Sequence, residues 1–170
     1  MDAEITALWE TPVWIGEISA AALQPMTTLT TTDAASITPA NLPVITDLEQ
    51  ALDEAFHLAP ARRWHHRLDT WNPGFYRGMT YSPAAVRALV IVTSNQPEQR
   101  KDSGAIRIHD PRVGASNVAL PGLPWGRSTR IPPIVGGAFA VPGWLACSIA
   151  PLRDDHIMTV WTAEAIAVER

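Results

Sequence analysis

The residues that decide the fold lie between positions 103 and 151. Residues 103–112 read SGAIRIHDPR, and residues 131–151 read IPPIVGGAFAVPGWLACSIAP. In the first segment Ile106 and Ile108 alternate with polar residues, and this period of two predicts a strand that starts at residue 103 and ends before a proline. In the second segment two apolar runs flank Pro142-Gly143, which predicts a strand, a tight turn and a second strand.

Both segments resemble the small iron(II)/2-oxoglutarate oxygenase-like family, whose core is a double-stranded β-helix, or jelly roll. That family has a strand of the form SGxhxFxDPR, followed by P-x-x-G-x-h-x-x-FPxWLxHxVxP, in which the His is the distal iron ligand. Cys147 stands at the position of that His. The resemblance runs from about Thr11 to Thr162. It implies a mainly β, single jelly-roll domain over residues 1–170 with one or two flanking helices.

Two further positions that the resemblance marks as functional are also changed. Residues 80–83, TYSP, stand where the family has its H-x-H/D-P iron ligands, and no His or acidic residue lies between positions 77 and 93. The last predicted strand, residues 156–162, stands where the family reads RISISFN, whose Arg and Ser hold 2-oxoglutarate. Here those positions are His156 and Met158, and a thioether cannot donate a hydrogen bond. The resemblance therefore implies a degenerate member that keeps the barrel without metal or cofactor.

Composition limits the class of protein and its partners. A chain of 170 residues fits one domain, and a net charge of −4 without a basic run argues against nucleic acid and anionic membranes as partners. The first residues, MDAEITALWE, lack the features of a signal peptide, and one cysteine permits no intramolecular disulfide. We expect a cytoplasmic protein that binds a small molecule. The oligomeric state stays open, a homodimer included.

Local patterns predict the remaining elements. Residues 46–58 are predicted as an amphipathic helix on the outside of the sheet, because Thr46 and Glu49 form a capping box before an apolar stripe. Residues 11–18 and 86–92 are predicted as strands, and residues 26–36 as a loop or edge strand. Loops are predicted at Trp64-His65, which matches a segment at the mouth of the family's barrel, and at 95–102 and 113–130.

His65, His66 and Asp69 invite a metal interpretation. Adjacent side chains point in different directions in a helix or a strand, and no recognised ligand spacing completes a site. We therefore predict no metal here. An iron site built from unusual ligands, drawing on these histidines with His109, Cys147 and His156, is the least favoured alternative.

The first functional hypothesis is a metal-independent enzyme of specialised biosynthesis, of the cyclase, isomerase or lyase type. His156 is the acid–base candidate, because imidazole titrates near neutral pH and the matching position faces the pocket, and Cys147 is a candidate nucleophile. The structural alternatives are a hydrogen-bonded strand histidine and a small buried cysteine. The candidate substrate-binding residues are Thr80, Ser82, Arg112, Trp144, Met158 and Phe139. Arg112 has the alternative role of pairing with Asp110.

The second hypothesis is a non-catalytic pseudo-oxygenase that binds a metabolite or a partner protein. The two hypotheses predict different pockets. An enzyme should have clustered His, Cys or Arg side chains with perturbed pKa values, whereas a binding module should have an apolar pocket lined by Trp144, Trp161 and Phe139.

Overall fold

The computed structural model describes residues 2–8, 11–29, 42–58, 62–95, 102–112 and 128–167. These residues form ten strands and two helices. In chain order the elements are β1 Asp2–Leu8, β2 Thr11–Glu17, α1 Ala20–Thr27, α2 Pro43–Phe56, β3 Arg62–Trp71, β4 Arg77–Thr80, β5 Val86–Ser94, β6 Ile106–Ile108, β7 Thr129–Ile131, β8 Gly137–Pro142, β9 Cys147–Ile149 and β10 Met158–Ala167.

The strands form two antiparallel sheets. The first has six strands in the order β1-β2-β8-β5-β10-β3, and the second has four in the order β4-β9-β6-β7. The chain crosses between the sheets several times, since β4, β6, β7 and β9 alternate along the sequence with strands of the larger sheet. This mainly β architecture with two flanking helices agrees with the predicted fold class.

Alternation along the strands of the larger sheet creates two cores. In β5, Val86, Val90 and Val92 face one side and join a cluster that contains residues of both helices. Leu89 and Ile91 face the other side and pack between the two sheets. The long apolar run of β5 is thus explained by burial on both faces of the sheet.

Helix α2 covers the outer face of the larger sheet, as predicted, through Leu48 and Leu52. The predicted capping box is wrong, because the helix begins at Pro43 and Leu42 is its N-cap, without a side-chain hydrogen bond. Proline is well suited to the first helical position, where its missing N–H has no partner to lose. Thr46 consequently lies within the helix and is exposed. In the described part of the chain, neither helix is long and apolar enough to cross a membrane.

Helix α1 was not predicted from the sequence. Ser19 accepts a hydrogen bond from the backbone N–H of Ala22 (3.3 Å), and Leu23 and Met26 are buried. The predicted loop or edge strand at 26–36 is therefore wrong for residues 26 and 27, which end this helix, and residues 30–36 lie outside the described residues. Pro25 within the helix masked the pattern, since proline inside a short segment normally argues against a helix.

The strand predictions at 11–18, 86–92 and 136–149 are confirmed by β2, β5 and the consecutive strands β8 and β9. A tight turn after Pro142 joins β8 to β9, but the two strands do not pair, because β8 lies in the larger sheet and β9 in the smaller one. Two other predicted strands begin later in the chain than expected. The strand of the first quoted segment begins at Ile106, because Gly104 adopts a positive φ of 70° within a turn. The last strand begins at Met158 and continues to Ala167, so His156 precedes it.

Two predicted loops also contain strands. Trp64-His65 lies inside β3, where alternate residues face the helix-side core, so this loop prediction is wrong. Residues 129 and 130 belong to β7, whereas residues 113–127 of the same predicted loop, and residues 96–101 of the loop at 95–102, lie outside the described residues.

Candidate functional site

A cavity of about 80 Å³ lies between the two sheets. We call it the inter-sheet cavity, and it is bounded by β4, β6 and β9 on one side and by β5, β8 and β10 on the other. One part of its lining is apolar, formed by Ala88, Leu89, Ile106, Phe139 and Ile149. The other part is polar, formed by Arg77, Thr80, Arg87, Cys147, Thr162 and Glu164.

Strand alternation carries charged side chains into this interior. Arg87 is two residues before Leu89, so both lie on the inner face of β5. Glu164 has the same relation to Thr162 on β10. Arg87 and Glu164 are also register partners in the antiparallel pair of β5 and β10. The sheet therefore places a cation directly beside a carboxylate at one end of the cavity.

Arg87 connects the larger sheet to the smaller one. Its Nη2 donates to the carbonyl oxygen of Thr80 at 2.8 Å and to that of Leu145 at 2.7 Å. Its buried Nε has no hydrogen-bond partner among the described residues. One side of the guanidinium thus holds β4 and the turn before β9, while Nε–H remains free to bind a ligand.

Glu164 is oriented by a serine. The Ser82 hydroxyl donates to Oε1 of Glu164 at 2.7 Å, and Ser82 Oγ in turn accepts from the backbone N–H of Ala84 at 3.2 Å. No hydrogen bond from a described residue occupies Oε2 of Glu164. The carboxylate is therefore held at one oxygen and open at the other.

Cys147 is buried beside Arg87, and its register partner across the β4–β9 pair is Thr80. Burial raises the pKa of the Cys147 thiol, and the nearby Arg87 guanidinium opposes this shift only in part. The side chain is accordingly a neutral thiol at neutral pH. A thiolate nucleophile, as the sequence hypothesis required, is disfavoured by this environment.

Arg77 is positioned by aromatic rings. Its Cζ lies 5.8 Å from the ring centroids of Trp71 and Phe75, which stack on each other at 4.6 Å. Burial lowers the pKa of Arg77, and the positive charges of Arg67 and Arg87 lower it further. The side chain of Arg77 makes no hydrogen bond or ion pair with any described residue, so its guanidinium N–H groups are available.

The donor set of the cavity does not fit an iron(II) centre. Such a centre in this fold needs two histidines and a carboxylate. The matching positions hold hydroxyls and the neutral thiol of Cys147, and Glu164 is the single described carboxylate in the cavity, with no described histidine beside it. The guanidinium groups of Arg77 and Arg87 line the same cavity and repel a divalent cation. Across the described ranges, no group of three or more His, Cys, Asp or Glu side chains could hold a metal ion.

His156 does not line the inter-sheet cavity. It is fully buried before β10, with Nδ1 2.7 Å from Ser103 Oγ and Nε2 3.0 Å from Ser94 Oγ. Burial lowers its pKa, and the charge of Asp155 opposes the shift. The expectation that this position faces the pocket is wrong, because the last strand starts two residues later. Met158, also fully buried, packs in the inter-sheet core.

The structure brings together three of the predicted site residues, since Thr80, Cys147 and Phe139 line the inter-sheet cavity. Ser82 reaches it indirectly through Glu164. Arg112 and Trp144 line a separate surface groove of about 440 Å³.

Arg112 in that groove pairs with Asp110, its Nε donating to Oδ1 at 2.9 Å, which agrees with the structural alternative.

His66 and Asp69 of β3 also have structural contacts. His66 Nε2 lies 2.7 Å from Glu49 Oε1, and the Trp161 indole Nε1–H donates to His66 Nδ1 at 3.3 Å. This chain of contacts ties helix α2 to β3 and β10 on the outer face of the larger sheet. Asp69 instead pairs with Arg67 at 2.7 Å. These contacts give His66 and Asp69 structural roles, and His65 is exposed.

Sequence reasoning missed Arg77, Arg87 and Glu164. A signal was present for Arg87, since VRALVIV places an arginine in phase with the inner apolar residues of a strand that is buried on both faces. Glu164 was missed because the predicted last strand ended at residue 162. Arg77 had no such signal, since its position depends on rings that come from β3 and the following turn.

No protein-family model and no curated protein matches the sequence. Solved structures do match the fold. A prolyl-4-hydroxylase from Pseudomonas putida has a TM-score of 0.67 at 12% identity, over 95% of this chain and 91% of that one. The viral collagen prolyl hydroxylase of Paramecium Bursaria Chlorella virus-1, solved with 2OG, has a TM-score of 0.63 at 11% identity, over 92% and 96%.

HygX from Streptomyces hygroscopicus, solved with iron bound, has a TM-score of 0.53 at 10% identity, over 91% of this chain and 82% of that one. Identities this low establish the fold and leave the activity open. The chain has the double-stranded β-helix fold of 2OG-Fe(II) oxygenase structures, and its described residues contain no metal-binding group.

Proposed function

We propose that the protein is a metal-independent enzyme of a non-redox class, a cyclase, isomerase or lyase, that moves protons on a small molecule in the inter-sheet cavity. One observation carries the proposal. Glu164 presents a carboxylate that is fixed at Oε1 by Ser82 and open at Oε2, in a cavity that also contains two guanidinium groups. A fixed base beside fixed positive charge is the arrangement that proton abstraction requires.

The proposed chemistry follows from these groups. Oε2 of Glu164 takes a proton from a substrate carbon, so the C–H bond breaks and an O–H bond forms on the carboxyl group. The electron pair left on the substrate is stabilised by Arg77 and Arg87. Return of the same proton to another carbon is an isomerisation, and loss of a leaving group instead is an elimination. The Cys147 thiol lies in the same cavity as a neutral hydrogen-bond donor.

The cavity fits the enzyme hypothesis better than the binding-module hypothesis. The pocket predicted for a binding module was apolar and lined by Trp144, Trp161 and Phe139. Trp144 lies in the surface groove, and Trp161 is buried on the helix side of the larger sheet. Only Phe139 of the three lines the inter-sheet cavity, next to charged side chains.

Proton transfer can be tested without knowing the natural substrate. The protein is incubated in D₂O with a chelator and a panel of small carboxylic acids that carry an acidic C–H bond, and proton NMR follows the loss of C–H signals. We expect exchange with at least one acid, reduced by about 100-fold or more in Glu164→Gln. Glu17→Gln, which changes an exposed carboxylate on β2, is the matched control and keeps full exchange.

Three results would contradict the proposal. Exchange that is unchanged in Glu164→Gln would remove this base from the mechanism. Exchange that appears only after iron(II) is added would restore a metal. A complete absence of exchange for an acid that binds in the cavity would favour the non-catalytic alternative.

A further inference from the structure

The polar end of the inter-sheet cavity contains more positive than negative charge. Two arginines and one carboxylate line it: Arg77, Arg87 and Glu164. Outside the lining, Arg67 and Asp69 of β3 also act on Arg77 through their opposite charges. Arg67 Nε lies 2.7 Å from Asp69 Oδ2, and Arg87 is the register partner of Glu164. Arg77 is left without a carboxylate partner among the described residues. The excess of one positive charge is complementary to a singly charged anion.

Unused hydrogen-bond donors occur at the same end of the cavity. Trp71 and Phe75 hold Arg77 by ring contacts alone, so its five N–H donors are not consumed by the protein parts that the structure describes. The buried Nε–H of Arg87 has no partner in the described ranges either. A buried donor without an acceptor is costly, and a ligand oxygen would remove that cost.

The size and walls of the cavity restrict the anion. A volume of about 80 Å³ holds only a few non-hydrogen atoms, and Leu89, Ile106 and Phe139 form an apolar wall. A guanidinium group matches a carboxylate in two parallel hydrogen bonds. We propose that the cavity binds the carboxylate end of a short aliphatic acid, anchored by Arg77 and the Nε–H of Arg87. This inference rests on the proposed use of the cavity as the substrate site.

Binding of simple probes tests the inference directly. Propionate, its neutral isostere propionamide and inorganic phosphate are titrated into the full chain at low ionic strength and followed by NMR. We expect saturable binding of propionate, and binding of propionamide and phosphate that is weaker by about tenfold or more. Arg77→Gln should weaken propionate binding by about tenfold or more, whereas Arg107→Gln, on an exposed position of β6, should leave it unchanged.

Each contrary result overturns a defined part of the inference. Equal binding of propionamide by the native chain would show that charge does not select the ligand, and this comparison needs no variant to fold. Tighter binding of phosphate would replace the carboxylate class. Unchanged propionate binding in Arg77→Gln would remove the anchor. Arg77-dependent binding without deuterium exchange would uphold this inference and contradict the enzyme proposal. Deuterium exchange without Arg77-dependent binding would contradict this inference and uphold the enzyme proposal.

Discussion

Thr80 and Cys147 are register partners across the β4–β9 pair, and the Thr80 hydroxyl donates a hydrogen bond to the Cys147 carbonyl oxygen at 3.4 Å. Both residues stand at positions where the resembled family has iron ligands. In this protein the two side chains instead line a cavity with Arg87, whose guanidinium bonds the Thr80 carbonyl oxygen. Hydrogen bonds from these side chains to main-chain carbonyl oxygens therefore join β4 to β9 and to the turn before β9.

The first prediction concerns the bridge that Arg87 forms between the sheets. Arg87→Met should lower the free energy of unfolding by about 3 kcal/mol, because two hydrogen bonds from a charged donor to the Thr80 and Leu145 carbonyl oxygens are lost. Urea unfolding measures the change. Arg107→Met on exposed β6 is the control, with an effect below about 0.5 kcal/mol. Equal effects of the two variants would contradict the bridging role.

The second prediction concerns Gly143 in the turn between β8 and β9. A Cβ at this position would lie 1.9 Å from the Ala84 carbonyl oxygen and 2.6 Å from that of Ser82. Gly143→Ala should therefore destabilise the protein by about 3 kcal/mol or more, since backbone has to move. Gly78→Ala is the matched control, because a Cβ there meets no atom within 4 Å. Thermal unfolding of both variants checks the difference, and a stable Gly143→Ala protein would refute the close approach.

The third prediction is a loss of stability in acid that depends on His156. Burial lowers its pKa in the folded state, so the unfolded chain binds the proton more readily. The stabilising contribution is present above the unfolded value of about 6.5 and is lost as the pH falls below it toward the folded value. The free energy of unfolding should decrease as the pH is lowered from 8 to 5. The slope of this decrease should be smaller in His156→Gln than in the native protein.

His65→Gln, at an exposed position of β3, should retain the slope of the native protein. His156→Gln should also be less stable at pH 8, because the contacts of the ring with Ser94 and Ser103 are changed. An unaltered slope in His156→Gln would show that another group controls the acid response.

The fourth prediction concerns the reactivity of Cys147. Because the thiol is buried and its pKa is raised, a thiol-specific reagent such as iodoacetamide should modify the native protein slowly at pH 8. The same reagent should modify the urea-unfolded protein at the rate of a free cysteine, and mass spectrometry measures both rates. Rapid modification of the native chain would instead indicate an activated thiolate and return Cys147 to the role of nucleophile.

The sequence predicted the elements that have strong local patterns. Alternation and apolar runs located β2, β5, β8 and β9, and the 3.6-residue stripe located α2. Prediction from the sequence failed where the local signals were ambiguous. Pro25 argued against a helix where α1 forms. Thr46 and Glu49 have the pattern of a capping box, but α2 begins at Pro43.

The candidate site was predicted less well than the fold, for a physical reason. The resemblance located Thr80 and Cys147, which line the cavity, and Cys147 lies in the stretch 103–151 where the resemblance is strongest. It placed His156 in the same pocket, but that residue lies in the loop before β10 and bonds two serines. Glu164 became visible only through the pairing of β10 with β5, which is distant in sequence, and Arg77 only through its contacts with the rings of Trp71 and Phe75; one-dimensional patterns encode neither.

The most direct test of the account is the iron content of the protein after anaerobic dialysis against iron(II) with 2-oxoglutarate, measured by elemental analysis. The account predicts no stoichiometric iron, because no described histidine lines the cavity, Glu164 is its single described carboxylate, the other potential ligands are a neutral thiol and hydroxyls, and two arginine cations line it as well. One iron per chain that disappears in Cys147→Ala would contradict it, and would make this barrel an oxygenase with an unusual set of ligands.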